Sequence, residues 1–275
     1  MKIAPISAEV IAATRPIYGM CGYGLLTIKV ECPLYVWTEL LTHRRFARNA
    51  SSARAMSTDR YAGMGHYMPD VFVKQGKGMA SSAEPIKYQR LAELIWKTTI
   101  NVTNLSAKLL EKLGTAKEQR NRLIAPTKIV RGIVTGTEAA WEYFLLLRDN
   151  KAADRAMQEL AHNINIAMNN AKWDYAYEHL PMYPHGDVTL PHSDKKLVAA
   201  ARIARVSYAR EKGKEDLQLA RSLMEEGHYS PFEHMAAWKL NPRNCAYNCT
   251  AQDMIKTSDL FPTNWGWETW RYETR

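Results

Sequence analysis

Residues 43–54 hold an unusually dense set of side chains that could bind a ligand. They comprise four arginines, one histidine, one asparagine and two serines. Arginine guanidinium groups form paired hydrogen bonds with phosphate oxygens and with the polar edges of planar rings. The pattern therefore predicts a site for a phosphorylated or planar polar ligand. Arginines at the C-terminal end of a helix would also favour the helix dipole, which is the structural alternative.

Two further arginines and a Glu–His pair lie outside this segment. Arg122 precedes Pro126 by four residues, and Arg148 ends an apolar helical pattern. Glu233 and His234 follow a Pro-Phe pair, where an acidic first turn of a helix would explain the glutamate equally well. Taken singly, each of these residues is more often a surface or ion-pairing residue than a ligand-binding one.

Several widespread catalytic motifs do not occur in the sequence. It has no Gly-x-Ser-x-Gly elbow, no Walker loop, and no Gly-x-Gly-x-x-Gly between a strand and a helix. An α/β-hydrolase, a P-loop nucleotidase and a Rossmann dehydrogenase are therefore disfavoured. Ser51 or Ser52 as a nucleophile would need a base, and His43 is near, but no third catalytic residue is evident.

Helical and strand patterns place these residues in an α+β fold. Residues 25–32 alternate and are rich in β-branched side chains, which predicts a strand, and Pro33 then begins a helix that runs to about residue 48. Residues 127–135 predict another strand, after which Thr137 caps a helix that ends at Arg148. Because helices and strands do not alternate regularly, the pattern favours α+β over a doubly wound sheet.

The rest of the chain is predicted to be mostly helical. Residues 55–84 contain four glycines and few periodic apolar residues, so they predict a long loop, which we expect to close over a substrate. A proline-containing connector at 180–194 is a candidate boundary. The remaining predicted elements are helices at 85–113, 115–124, 152–171, 196–208 and 215–226, a turn at 227–231 and a strand at 235–240.

Composition limits the class of protein. The 275 residues carry a formal net charge of +9, which favours anionic partners such as nucleotides, although a solvated basic surface is as good an explanation of charge alone. The four cysteines, at positions 21, 32, 245 and 249, predict reduced thiols in a cytoplasm rather than a disulfide framework or a metal site. No signal peptide and no membrane span are predicted.

The segment at 43–54 resembles the signature of flavin-dependent thymidylate synthases. In that family an Arg-His-Arg run is followed by spaced Ser, Asn, Ser and Arg residues, and this chain has His43, Arg44, Asn49, Ser52 and Arg54 at the matching spacings. The resemblance extends to the strand and helix before the segment. It also extends to the Arg122–Pro126 stretch and to the helix pair that contains Trp141, Phe144, Arg148, Ala156 and Glu159.

Part of the resemblance is out of order along the chain. Residues 201–207 and 227–234 are similar to the family's N-terminal segment, yet here they follow everything else. Residues 42–51 and 266–271 resemble a permuted branch of the family found in phages and actinobacteria. The chain is thus predicted to be a single domain over residues 1–275, with a motif-bearing part at 1–180 and the displaced segment at 195–275. Departures from the family pattern occur at Thr42, Ala47, Ala50 and Tyr143.

The resemblance implies a fold, a reaction and a quaternary structure. The fold would be helices packed on a small, mostly antiparallel sheet. The reaction would be methylation of dUMP at C5 to dTMP, with methylenetetrahydrofolate as carbon donor, FAD as cofactor and NADPH as reductant. The protein would be a cytoplasmic homotetramer with sites between subunits, in a bacterial or phage-infected cell, without membrane or nucleic-acid partners.

The resemblance also implies residue roles. Arg148 would be catalytic, because a cation at the pyrimidine edge stabilises the charge that develops there. The nucleotide would be bound by Glu39, Ser51, Ser52, Arg54, Arg122 and Arg148. The flavin would be bound by Thr42, His43, Arg44, Arg45, Asn49, Ser207, His228, Ser230 and Glu233.

Three other functions remain open from the sequence. A related flavoenzyme could make another 5-substituted pyrimidine nucleotide, for instance a hydroxymethyl one, from dUMP or dCMP. A basic nucleic-acid-binding protein would place the same arginines on phosphates. An inactive homologue would bind the nucleotide without turnover.

Overall fold

A five-stranded sheet forms the centre of the protein in a computed structural model. The structure describes residues 2–17, 24–76, 81–182, 190–207, 215–238 and 267–270. In the sheet, β2 (Leu25–Pro33) lies between β1 (Ser7–Arg15) and β6 (Ile129–Thr137), with β3 (Ala47–Ala50) and β7 (Asp174–Tyr175) at the edges. Every pairing except that of β1 with β7 is antiparallel, which confirms the predicted α+β class with a mostly antiparallel sheet. The predicted strands at 25–32 and 127–135 are β2 and β6, whereas β1 was not predicted.

The helix predicted to run to about residue 48 is much shorter, and this prediction was wrong. Helix α1 spans Leu34–Leu40, and no basic residue lies in its last turn. The chain then turns, and β3 pairs antiparallel with β6. Phe46 is buried against Trp141, with ring centroids 4.3 Å apart. The cationic residues therefore lie on a turn and an edge strand, so the helix dipole does not explain them.

Gly136 makes this turn possible. A Cβ atom at this position of β6 would lie 2.5 Å from the Phe46 ring, which is closer than real Cβ contacts allow. The missing side chain lets the ring of Phe46 lie directly on the sheet. The cationic segment is thus anchored on the sheet by one of its own residues, the aromatic Phe46.

Helices α5 (Glu138–Arg148) and α6 (Arg155–Asn169) cover the sheet. The Thr137 hydroxyl accepts a hydrogen bond from the Ala140 N–H at 3.2 Å, which confirms the predicted cap of α5. Asp154 caps α6 in the same way. Because α5 is packed through Trp141 and Phe144, its C-terminal Arg148 is held next to the sheet.

The region predicted as a loop at 55–84 contains regular structure, so that prediction was wrong. Helix α2 (Thr58–Gly63) begins at a Ser57 cap, and β4 (Val73–Gln75) pairs with β5 (Ser81–Pro85). Helices α3 (Gln89–Lys112) and α4 (Lys117–Arg120) follow, and α4 is shorter than the predicted 115–124. A small apolar cluster supports α2, because Met56 and Tyr61 are buried with Ile124.

The C-terminal segment packs on the first part of the chain. Helices α7 (His192–Ala204) and α8 (Asp216–Glu225) pack together, and Arg202 and Arg205 both form ion pairs with Asp216. A 3-10 helix at Ser230–His234 leads into β9, which lies between β10 and β8 in a second sheet. These strands are β8 (Glu178–His179), β9 (Ala236–Trp238) and β10 (Trp267–Thr269).

Some predictions fall partly or wholly outside the described residues. Three of the cysteines lie outside them: Cys21, Cys245 and Cys249. The same holds for Gly266 and Arg271, at the ends of the 266–271 tail, and for most of the connector at 180–194. Of the predicted strand at 235–240, residues 239 and 240 lie outside. No helix in the described ranges is both long and apolar enough to cross a membrane.

Candidate functional site

Arg148 and His43 form the centre of the candidate site. The Nε–H of Arg148, at the end of α5, donates a hydrogen bond to Nε2 of His43 at 3.1 Å. Burial, together with the charges of Arg148 and Arg48, lowers the pKa of His43. Its ring also contacts Phe144 edge to face, with centroids 5.0 Å apart. A neutral imidazole is the form that can accept this hydrogen bond, so both effects favour the observed pair.

Glu39 brings a carboxyl group to the same place. It is half-buried near the end of α1. Burial and the neighbouring charge of Asp154 raise the pKa of Glu39, and the Arg148 guanidinium opposes that shift. The site therefore places a carboxyl group, whose neutral form is favoured by burial, close to the Arg148 guanidinium.

Arg48 connects this centre to the displaced C-terminal segment. It donates a hydrogen bond to the Leu41 carbonyl. Burial lowers the pKa of Arg48, and the carboxylate of Glu233 in the 3-10 helix opposes that shift. Sequence reasoning left Arg48 out of the candidate list, although it lies within the same cationic segment. The structure thus brings His43 and Glu233 to the same cation.

Ser207 and Asn49 hold the two segments together. The Ser207 hydroxyl donates a hydrogen bond to the Ala50 carbonyl at 3.0 Å and accepts one from the Ser52 N–H at 3.1 Å. The Asn49 side-chain amide donates to the Ile203 carbonyl at 3.1 Å. Arg60, which was not predicted as a site residue, donates to the Ser207 carbonyl at 3.1 Å. Residues some 150 positions apart in the chain are therefore joined through these polar side chains.

Arg54 and Arg122 lie on two exposed turns that are tied to each other. The Asn121 side chain donates to the carbonyl groups of Ala53 at 2.9 Å and Met56 at 3.3 Å. This places Arg122 beside the turn that carries Arg54. Among the described residues, no acidic side chain forms an ion pair with either guanidinium. Two exposed cations without an acidic partner there can accept an anionic group from solvent.

The other predicted site residues form separate contacts with different parts of the protein. Thr42 donates to the Glu39 carbonyl at 2.7 Å, and Arg45 lies over the Tyr143 ring at 5.4 Å from its centroid. The buried Ser51 hydroxyl accepts a hydrogen bond from the Arg131 N–H at 3.0 Å, so it is engaged in holding the sheet edge.

Arg44, His228 and Ser230 are exposed. His228 lies 3.5 Å from a carboxylate oxygen of Glu226. Arg44 and Ser230 form no side-chain hydrogen bond or ion pair with another described residue. These two side chains are therefore open to solvent on the described part of the surface.

A buried polar network, which the sequence analysis missed, lies beneath the 3-10 helix. Nδ1 of His234 is 2.8 Å from the Thr135 hydroxyl, which is 2.6 Å from that of Thr27. His179 then contacts the Thr27 and Thr14 hydroxyls at 2.7 and 2.8 Å. Burial lowers the pKa of each histidine to about 3. The network anchors the residue next to Glu233 on the sheet.

A cavity of about 630 Å³ opens on the acidic side of the site. Tyr35, Tyr67 and Trp96 contribute aromatic walls, and Asp154 and Glu159 contribute carboxylates. Burial and the charge of nearby Asp70 raise the pKa of Glu159. In the described part of the chain, no group of three or more His, Cys, Asp or Glu side chains is arranged to hold a metal ion.

The comparisons with known proteins identify the fold. No protein-family description and no curated protein matches the sequence. Two solved structures of the UMP/dUMP methylase PolB from Streptomyces cacaoi are similar, one bound with 5-Br UMP and one with 5-Br dUMP. They match with TM-scores of 0.52 and 0.53 at 16% and 15% identity. Each match covers 61% of this chain, and it spans 91% of the first methylase chain and 92% of the second. At this identity the similarity establishes a shared fold over that part of the chain.

Proposed function

We propose that the protein methylates dUMP at C5 to give dTMP, using FAD as cofactor, methylenetetrahydrofolate as carbon donor and NADPH as reductant. The observation that carries this proposal is the meeting of Arg148, His43 and the displaced segment at one site. The resemblance of residues 43–54 to flavin-dependent thymidylate synthases supports it. The shared fold with a methylase of pyrimidine nucleotides supports C5 chemistry on such a nucleotide.

The nucleotide phosphate would be bound by Arg54 and Arg122. Both guanidinium groups are exposed, and the Asn121 contacts hold their turns side by side. Paired hydrogen bonds from guanidinium groups match phosphate oxygens in geometry and charge. The Ser207 contacts would keep Ser52 and Arg54 in place for this ligand.

Arg148 would bind the pyrimidine edge. Its Nε–H is taken by His43, which leaves the two terminal nitrogens to form a pair of hydrogen bonds with a planar ring. A cation held there stabilises negative charge as it develops on the pyrimidine. Loss of one such preorganised group commonly lowers the rate by about 10²–10³. His43 is then a positioning residue for Arg148.

The chain has side chains that fit a flavin dinucleotide next to this position. Arg44 and Arg45 are exposed cations that suit the diphosphate, and Ser230 is an exposed hydroxyl. Asn49 and Ser207 already bond to the main chain, so we assign them to shaping the site. When bound, the cofactor supplies the reducing equivalents, and the protein binds and orients the reactants.

The proposal includes a homotetramer with sites between subunits. Next to Arg148, the outer face of α5 exposes Tyr143, Leu146 and Leu147, and Leu146 is 72% exposed. Large apolar side chains beside a binding site are often covered by another subunit. A second copy over α5 would exclude water from the pyrimidine edge.

The first test is flavin content and product mass. The purified protein should be yellow and should release FAD on denaturation. Incubation with dUMP, methylenetetrahydrofolate, FAD and NADPH should give a product heavier by one methyl group. A hydroxymethyl product, or activity on dCMP or UMP instead, would replace the proposed reaction with a related one. A colourless protein that binds no added FAD, but binds DNA in a salt-sensitive way, would contradict it.

The second test is Arg148→Lys. Lysine cannot form the paired hydrogen bonds of a guanidinium, so turnover should fall by at least about 10²-fold while FAD binding is largely retained. Arg221→Lys, at an exposed position of helix α8, is the matched control and should remain active. Full activity of Arg148→Lys would remove the role assigned to Arg148.

A further inference from the structure

The outer face of α3 is apolar. Helix α3 packs on its own subunit through Ile100 and Ala107, which are both buried. On the other side, five large aliphatic side chains are each 51–59% exposed: Leu91, Ile95, Val102, Leu105 and Leu109. Within the described ranges no other element covers them. A contiguous apolar face of this length on a surface helix marks an interaction surface.

The spacing of these residues is that of a coiled-coil seam. Positions 91, 95, 98, 102, 105 and 109 are separated alternately by four and three residues, with the exposed Thr98 completing the series. This is the a/d pattern of a heptad repeat, with β-branched Ile95 and Val102 at a positions. The buried Ile100 and Ala107 occupy the f position, on the opposite side of the helix. One side of α3 thus faces its own subunit, and the other is patterned for a second helix.

The seam is self-complementary when two copies of α3 run antiparallel. Centred on position 100, Leu91 faces the partner's Leu109, Ile95 faces the partner's Leu105, and Thr98 faces the partner's Val102. Each layer then pairs one a with one d position. A two-fold axis relates the two copies and closes the contact, as in most homodimers.

The ends of the helix distinguish antiparallel from parallel pairing. Continuing the same register, the 64% exposed Tyr88 faces the partner's Lys112, an aromatic ring opposite an ammonium group. Parallel pairing would place Lys112 against the partner's Lys112 and Thr98 against the partner's Thr98. It would thus oppose like charges and break the apolar seam at a polar layer. The antiparallel arrangement avoids both.

The area is sufficient for a dimer. With the 61% exposed Leu94 included, complete coverage of the six aliphatic residues would bury roughly 650 Å² on each copy, or about 1,300 Å² for both. Stable interfaces bury about 1,200–2,000 Å² in total. The seam alone is therefore at the lower end of the range that holds two proteins together.

We propose that α3 is a homodimer interface in which a second copy of the chain pairs with it antiparallel about position 100. This interface would be one contact of the homotetramer proposed above and rests on that part of the proposed function, but it does not depend on the reaction. The proposal assigns the occupant of the apolar face to the same chain.

The oligomeric state tests the interface. The unsubstituted chain should have a mass of at least twice 31.4 kDa by light scattering after size exclusion. Val102→Asp places a charge at the centre of the seam and should halve that mass with an unchanged circular dichroism spectrum. Arg90→Asp, on the same helix but outside the seam, should not change it. A monomeric unsubstituted chain would overturn the proposal, and so would a mass of Val102→Asp equal to that of the unsubstituted chain.

Disulfide cross-linking tests the direction without relying on a destabilised variant. Leu91→Cys combined with Leu109→Cys should give a covalent dimer under mild oxidation, because the two positions face each other across the axis. Leu91→Cys alone should give no more dimer than the unsubstituted chain, which controls for the native cysteines. Efficient cross-linking of Leu91→Cys alone would show parallel pairing and overturn the antiparallel assignment.

Discussion

Ser207→Ala is expected to weaken the attachment of the C-terminal segment to the cationic segment. Ser207 is only 7% exposed, and its hydroxyl donates a hydrogen bond to the Ala50 carbonyl and accepts one from the Ser52 N–H. Alanine leaves both main-chain groups without this partner. An unsatisfied buried polar group costs about 1–3 kcal/mol. Ala50 and Ser52 are half-buried, so water replaces part of the loss, and we expect about 2 kcal/mol in total.

The assay is urea unfolding followed by circular dichroism. The midpoint should fall while the denaturant slope stays constant, because the surface exposed on unfolding does not change. The matched control is Ser222→Ala, whose hydroxyl contacts only an exposed Glu226 at 3.0 Å. This substitution should change stability by less than about 0.5 kcal/mol.

A local measurement distinguishes the loss of the Ser207 hydrogen bonds from a change in the overall stability of the protein. Hydrogen exchange at the Ser52 N–H should become faster in Ser207→Ala than in the unsubstituted chain, since that N–H loses its acceptor. If Ser207→Ala loses less than about 0.5 kcal/mol and leaves this exchange rate unchanged, Ser207 does not join the two segments, and the reasoning fails.

Two other predictions concern packing and pH. Gly136→Ala should lower the free energy of unfolding by about 1–3 kcal/mol, because the added methyl group would overlap the buried Phe46 ring. Gly63→Ala, where nothing lies within 4 Å, is the control, and equal thermal midpoints for the two variants would contradict the packing argument. His179 and His234 have pKa values of about 3, below the ordinary value of 6.5. Their contribution to stability is therefore fully present above pH 6.5 and is lost as the pH falls towards 3, by about 1.4 kcal/mol per pH unit for each histidine. The free energies of unfolding of the unsubstituted chain and of His234→Gln, measured with urea between pH 6.5 and 4.5, should differ in their slope with pH by one such amount, and identical slopes would refute it.

Local signals in the sequence were enough for several elements. The strand that became β2 alternates and carries β-branched residues, and the Thr137 cap needs only its own hydroxyl and the next turn. The apolar face of α5 likewise follows from helical spacing. In each case the interactions that decide the structure lie within a few residues of one another, so a pattern in the sequence contains them.

The end of α1 could not be predicted in that way. Residues after Leu40 continue a helical pattern, but β6 offers an edge that pairs with Ala47–Ala50, and Gly136 opens a space for Phe46. The pairing partner lies more than 80 positions away in the chain. Tertiary contacts of this kind outweigh helix propensity, which differs little between ordinary residues.

The sequence by itself determined the α+β class, most of the helices and the chemical character of residues 43–54. Only the tertiary structure decided which side chains meet there. Arg48 with Glu233, and Ser207 with Ala50 and Ser52, join segments far apart in the chain. Buried polar groups must find hydrogen-bonding partners, and which partner is within reach depends on how the layers pack. No periodicity in the sequence indicates which partner is within reach. The composition of the site was therefore predictable, whereas the hydrogen bonds and ion pairs between its residues were not.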